Sequence, residues 1–197
     1  METPRAISRI TLLNIILVME GLLLLFATVW SQLAEIVLAP HLSLTSKDVL
    51  LGTALGVGLA IGSNLLFWMG KFHFFKWLAP LRDMILRDLA PSFADITAQD
   101  IFLISLASGF CEEVLFRGVL QDQFGLLGAS AMFGLVHSPS LKHPHYGLWA
   151  LVAGLLLGLL YQSTGSLWAP IIAHVVNNIL GLMVLKSLGR RATASKV

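Results

Sequence analysis

Three pairs of residues spaced four apart could do chemistry in this chain: Glu113 with Arg117, Phe133 with His137, and His174 with Asn178, with a second carboxylate, Glu112, beside the first pair. Residues four apart on a helix share a face, so Glu113 and Arg117 can pair, with the acid on the favourable N-terminal side. Glu112 is turned about 100° away from its neighbour. The pairing therefore occupies Glu113 and leaves Glu112 without an obligatory partner, as a general base requires. A carboxylate and an imidazole can bind and deprotonate a water, while a second imidazole and an amide can donate hydrogen bonds to an oxyanion. Together these are the parts of peptide hydrolysis without a covalent intermediate. A single uncharged histidine is a common core residue. Two histidines combined with two carboxylates on greasy segments are harder to explain by packing.

Those segments belong to a membrane protein. Of 197 residues, 56% are hydrophobic and only 12% are charged, against about a quarter charged in soluble domains. An ionisable group at membrane depth costs at least about 2.5–3.5 kcal/mol, so it normally faces a bundle interior or a wet cavity and marks function. The net charge of +2 gives no basis for a nucleic-acid partner. Cys111 is the only cysteine; it permits no internal disulfide and no Cys-based zinc site, and it is read as a small buried residue, since no partner at helical spacing would make it a nucleophile.

The elements that must position the polar groups follow from apolar runs. Residues 10–30 form the first span. Read instead as a signal peptide, the same run lacks a small-x-small exit and contains Glu20. Glu20 is expected to be a bundle-facing polar contact, because nothing titratable lies near it in sequence. Thr45 to Asp48 reads as a capping box opening a second span, 49–70, whose Gly52-x-x-x-Gly56 and Gly58-x-x-x-Gly62 repeats predict close helix packing. Residues 71–90 interleave Phe72, Phe74, Phe75 and Trp77 with Lys71, Lys76, Arg82 and Arg87, the pattern of an interfacial amphipathic segment, with a break expected at Pro80. His73 belongs to that interfacial face. Ser92-x-x-Asp95 and Thr97-x-x-Asp100 are overlapping helix-start signals before the third span, 101–120. A short fourth span covers 126–137, a fifth 146–161 and a sixth 167–188. His143 and His145 are read as a solvated loop. Gly154-x-x-x-Gly158 predicts close packing or a dimer face.

The expected fold is therefore all-α and polytopic, with about six transmembrane helices and one interfacial segment. It forms a single membrane domain: 1–91 as N-terminal spans and amphipathic segment, 92–188 as the motif-bearing core, and 189–197 as a basic tail. Six spans place both termini on one side. Arg5, Arg9, Lys71, Lys76, Arg82, Arg87, Lys142, Lys186, Arg190, Arg191 and Lys196 would then be cytoplasmic, with Lys47 outside and Arg117 inside the membrane, in accord with the positive-inside rule.

Glu112-Glu113-x-x-x-Arg117, Phe133-x-x-x-His137 and His174-x-x-x-Asn178, in that order and on three apolar spans, resemble the motifs of the CAAX prenyl endopeptidase and bacteriocin-processing family (CPBP, also called Abi) of intramembrane glutamic proteases. The resemblance covers about residues 92–188. It implies an endopeptidase of a prokaryotic plasma membrane, acting on a membrane-associated peptide or protein, without cofactor or metal. It also implies roles: Glu112 and His137 activate water, His174 and Asn178 form the oxyanion site, and Glu113, Arg117 and Phe133 support them. Two other readings keep the same residues. Glu112 or Glu113 with His137 and His174 could ligate zinc, although no His-Glu-x-x-His occurs. A catalytically silent scaffold or immunity protein could bind a peptide in the same cavity. A small transporter is disfavoured by the lack of an inverted repeat. Oligomeric state is not readable.

Overall fold

The computed structural model describes residues 8–138 and 144–194; Arg5, Lys142, His143 and Lys196 lie outside the described residues. These form an all-helical bundle: α1 (Arg9–Leu33), α2 (Ser46–Met69), a broken segment including α3 (Ala79–Met84), then α4 (Ala98–Glu113), a π-helical stretch (Val114–Leu120), α5 (Gln121–Val136), α6 (Pro144–Thr164) and α7 (Trp168–Ala194). Four helices, α1, α2, α6 and α7, are long and apolar enough to cross a membrane.

The third and fourth expected spans join through one residue. The helical run from Ala98 is interrupted at Gly125, with φ 70° and ψ 175°, a conformation essentially reserved for glycine. Opposite the same α6 glycines lie Arg117 and Gln121 before this point, and Phe133, Ser130 and Leu126 after it. Gly125 is therefore a hairpin, and residues 126–136 fold back along the helix that delivered them. Eleven residues cover only about 17 Å, roughly half of a hydrocarbon core, and His137 caps this returning arm.

Capping boxes start α2 at Thr45 and α4 at Thr97, each with an aspartate at the third position returning the bond. The competing start at Ser92 is not used; its hydroxyl donates to the Asp88 carbonyl inside the broken segment. That segment is amphipathic as expected, with Leu78, Leu81 and Met84 buried and Phe72, Phe74 and Trp77 exposed. Pro80 begins α3 and does not break it, since a first-turn proline has no N–H to waste; the irregular residue is Phe75.

Gly52 and Gly56 form the seam with α7, where an added Cβ would lie 2.6 Å from the Ala169 carbonyl and 2.5 Å from that of Ala173. Gly58 faces open space, while Gly62 accommodates the Trp149 ring. Gly154 and Gly158 pack inward on the α5 hairpin, so they do not form an external face.

One end of the bundle gathers the basic groups. Arg9 holds Asp100 in a bidentate pair at 2.6 and 2.9 Å, and the Arg190 guanidinium donates to the Ala94 carbonyl. Asp100 lies just ahead of the apolar run, where the bond from Arg9, together with those from Thr97, holds its carboxyl well below the usual carboxylate range. A folded-state pKa depressed in this way contributes stability that is complete above the ordinary value of about 3.9 and is lost as pH falls below it. Thermal melts of the wild type and Asp100→Asn should therefore differ most at neutral pH and converge as pH drops below about 4.

Candidate active site

The bidentate bond between Arg9 and Asp100 registers α1 against α4 at the membrane edge. Glu112 lies twelve residues beyond Asp100, about 18 Å along the helix axis and therefore deep in the bilayer. His137, on the tip of the returning arm, reaches the same level: its Nε2 is 3.5 Å from Glu112 Oε2. The other ring nitrogen, Nδ1, is 2.8 Å from the Phe133 carbonyl. A carbonyl can only accept, so Nδ1 carries the proton, and in the neutral ring Nε2 presents a lone pair to Glu112. Two acceptors thus face each other, and a water about 2.8 Å from both can donate one hydrogen to each.

Glu113 points elsewhere and is fully buried. Its Oε1 accepts from Arg117 Nη1 at 2.7 Å and from His174 Nδ1 at 2.7 Å. Arg117 also donates from Nη2 to the Gly154 carbonyl at 3.1 Å, and its guanidinium lies 4.6 Å from the centroid of the Phe133 ring. That ring lies 4.3 Å from the His137 ring, so Phe133 is a common wall between the ion pair and the imidazole. Glu113 thus pairs with Arg117 across the spacing of four, with one addition. Glu113 secures His174 as well as Arg117.

His174 and Asn178 lie one turn apart on α7, which the glycine seam draws against α2. Gly109 of α4 sits against Val175 in the same way. Asn178 Nδ2 donates to Ser108 Oγ at 2.8 Å, and Ser108 donates to the Ile104 carbonyl. One Nδ2 hydrogen of Asn178 remains for another acceptor. With Nδ1 of His174 committed to Glu113, Nε2 is the ring nitrogen with no protein partner among the described residues.

Glu112, Phe133, His137, His174 and Asn178 line one cavity of about 410 Å³. Its apolar arm runs between Ile85, Leu89 and Phe93 of the broken segment and Leu185 and Leu188 of α7, toward the basic end of the bundle. Ser108, Tyr146 and Glu20 also line it. Ser108 was legible as the residue one turn before Glu112. Tyr146, whose ring centroid is 6.4 Å from that of His137, has no signal in spacing. Glu20 was expected to be a bundle contact remote from other titratable groups; in space it faces Glu112. Cys111 is buried, as expected. Among the described residues, no three His, Cys, Asp or Glu side chains converge as a set that could hold a metal ion.

The fold defines a multi-pass helical membrane protein, with a carboxylate and an imidazole facing one another on an internal cavity. Residues 95–180, which carry all three motifs, match the family described as type II CAAX prenyl endopeptidase Rce1-like. The chain is also similar to the uncharacterized protein YpbD of Bacillus subtilis (strain 168), 37% identical over 84 residues. That similarity covers 43% of this chain and 44% of the relative, so the chain spans less than half of the relative's length. No solved structure matches the chain.

Proposed function

We propose that the protein is an intramembrane glutamic-type endopeptidase that hydrolyses a membrane-associated peptide or protein. The observation that carries this reading is the approach of Glu112 to His137 at 3.5 Å, deep in the bilayer and on the cavity shared with His174 and Asn178. Water held between Oε2 and Nε2 gives its proton to Glu112 as its oxygen attacks the scissile carbonyl carbon. The resulting oxyanion receives hydrogen bonds from Asn178 Nδ2 and His174 Nε2. To donate from Nε2, His174 must carry both ring protons, a state the Glu113 carboxylate at Nδ1 stabilises. Collapse of the tetrahedral intermediate breaks the C–N bond, and Glu112 returns its proton to the leaving amine.

The apolar arm of the cavity suits the greasy flank of such a substrate. Residues 1–197 act as one membrane domain in this reading, with 92–188 as the catalytic core, 1–91 completing the bundle and 189–197 as a basic tail. The concentration of Arg and Lys at one end supports cytoplasmic termini in a prokaryotic plasma membrane.

The test is to incubate the purified chain with native membranes, with and without chelator, and to compare peptide products with those from Glu112→Gln. Products that depend on Glu112 and persist in chelator support a metal-free glutamic protease; loss in chelator favours zinc, and no difference from Glu112→Gln favours a silent scaffold. His174→Ala and Asn178→Ala should each lower kcat by about 10²–10³, measured on any peptide so identified.

A further inference from the structure

Glu20 is the one carboxyl of the cavity that this mechanism does not use. It lies eleven residues beyond Arg9 on α1, as Glu112 lies twelve beyond Asp100 on α4. With Arg9 and Asp100 bonded to each other, both carboxyls sit about 17–18 Å in from the same edge. Glu20 is 8% exposed and lines the cavity beside Glu112. α1 packs on α4 and the π-helical stretch on both sides of this level, Ile16 against the cluster of Ile104 and Ala27 within that of Leu115 and Val119, so the two carboxyls meet on the same wall of the cavity. Yet Oε2 of each is buried without a hydrogen-bond partner among the described residues, because ionised carboxylates can only accept.

Charge makes the same point. Three buried carboxyls, Glu20, Glu112 and Glu113, share this level with a single guanidinium, Arg117, which is committed to Glu113 and the Gly154 carbonyl. The remaining titratable groups facing Glu20 are Cys111, on α4 with Glu112, and His174, on α7. Like charges this close in a low dielectric cannot both ionise. We propose that Glu20 and Glu112 form a carboxyl pair holding one proton between them, with Glu20 as the positioning residue whose O–H is donated to Glu112. The donated bond goes to Oε1 of Glu112 and leaves Oε2, opposite His137, to take the proton of the attacking water. It also limits the pair to one negative charge. Glu20 as a mere packing contact would explain neither the match in depth with Glu112 nor its own buried, unpartnered Oε2.

This inference rests on the protease reading for its consequence but not for its detection. The full chain in lipid nanodiscs is examined by difference infrared spectroscopy between neutral and alkaline pH, and peptidase activity is recorded on the same preparations. The wild type should show a carboxylic-acid C=O band at neutral pH that E20Q abolishes and E112Q shifts. No such band in the wild type, a band untouched in E20Q, or one unshifted in E112Q would overturn the pair. In activity, E20Q retains an N–H donor toward Glu112, so E20A should fall about tenfold or more below E20Q, the worth of a hydrogen bond to a charged group. E20Q falling as far as E112Q would overturn the positioning role. Wild-type protein that shows the band with this mutant pattern but cleaves nothing counts against the protease reading alone.

Discussion

Glu112→Gln ends peptide hydrolysis and leaves the bundle standing. The substitution is nearly isosteric, and no helix contact depends on the charge of Glu112. The ion pair that organises the site belongs to Glu113, and among the described residues the Glu112 carboxyl approaches His137 Nε2 at 3.5 Å and shares the cavity wall with Glu20. An amide in place of Glu112 keeps an acceptor for the Glu20 O–H and removes the negative charge from the buried pair, so thermal stability should equal or exceed that of the wild type. Turnover should fall by about 10²–10⁴, the range of a general base. A melting curve and a product assay on one preparation check both halves. Activity within a few-fold of wild type, in protein that melts normally, would remove Glu112 from the chemistry.

Arg117→Ala has the opposite profile: the fold suffers first. Arg117 is 1% exposed and holds three things at once, the Glu113 carboxylate, the Gly154 carbonyl on α6 and the face of the Phe133 ring. Truncation leaves Glu113 buried without its cation, a loss of about 3–5 kcal/mol for a broken buried pair. Activity falls as a consequence, because His174 is oriented through Glu113 and His137 packs on Phe133. The expected result is a lowered thermal midpoint in detergent together with lost hydrolysis. A wild-type midpoint would contradict the division of labour between the two adjacent glutamates.

What could be read from the residues alone was whatever lies within one helix. The spacing of four between Glu113 and Arg117 is a distance on a helix surface, so their pairing was legible, as was the turn that joins His174 to Asn178. Both used capping boxes, at Thr45 and Thr97, are likewise local. The contact of Glu20 with Glu112 joins residues far apart in the chain, and no spacing encodes it. The available hint was indirect, since Arg9 and Glu20 lie about three turns apart and so share a face, but the partner that fixes that face, Asp100, is named only by the fold. The return of the short fourth segment along its own helix was hidden for a similar reason. An apolar run of that size reads as a short span, whereas the left-handed Gly125 makes it a return. The order of the three motifs carried the resemblance; their meeting in one cavity is a product of the α2–α7 glycine seam and the α4–α5 hairpin.

The i,i+4 placement of Glu113 and Arg117 also bears on how the chain enters the bilayer. The helix carrying Glu112, Glu113 and Arg117 precedes α6 and α7 in the chain, so it is made before the segments that bring the Gly154 carbonyl and His174. An ion pair closed within the helix forms with the helix itself and needs no later segment, which lowers the insertion cost of two of its charges at once. Glu112 has no such internal partner, but α1 already stands in the membrane with Glu20 at the matching depth. The order of biogenesis and the order of the polar contacts therefore coincide, and the last residues to arrive, His174 and Asn178, complete a site whose charges are already settled.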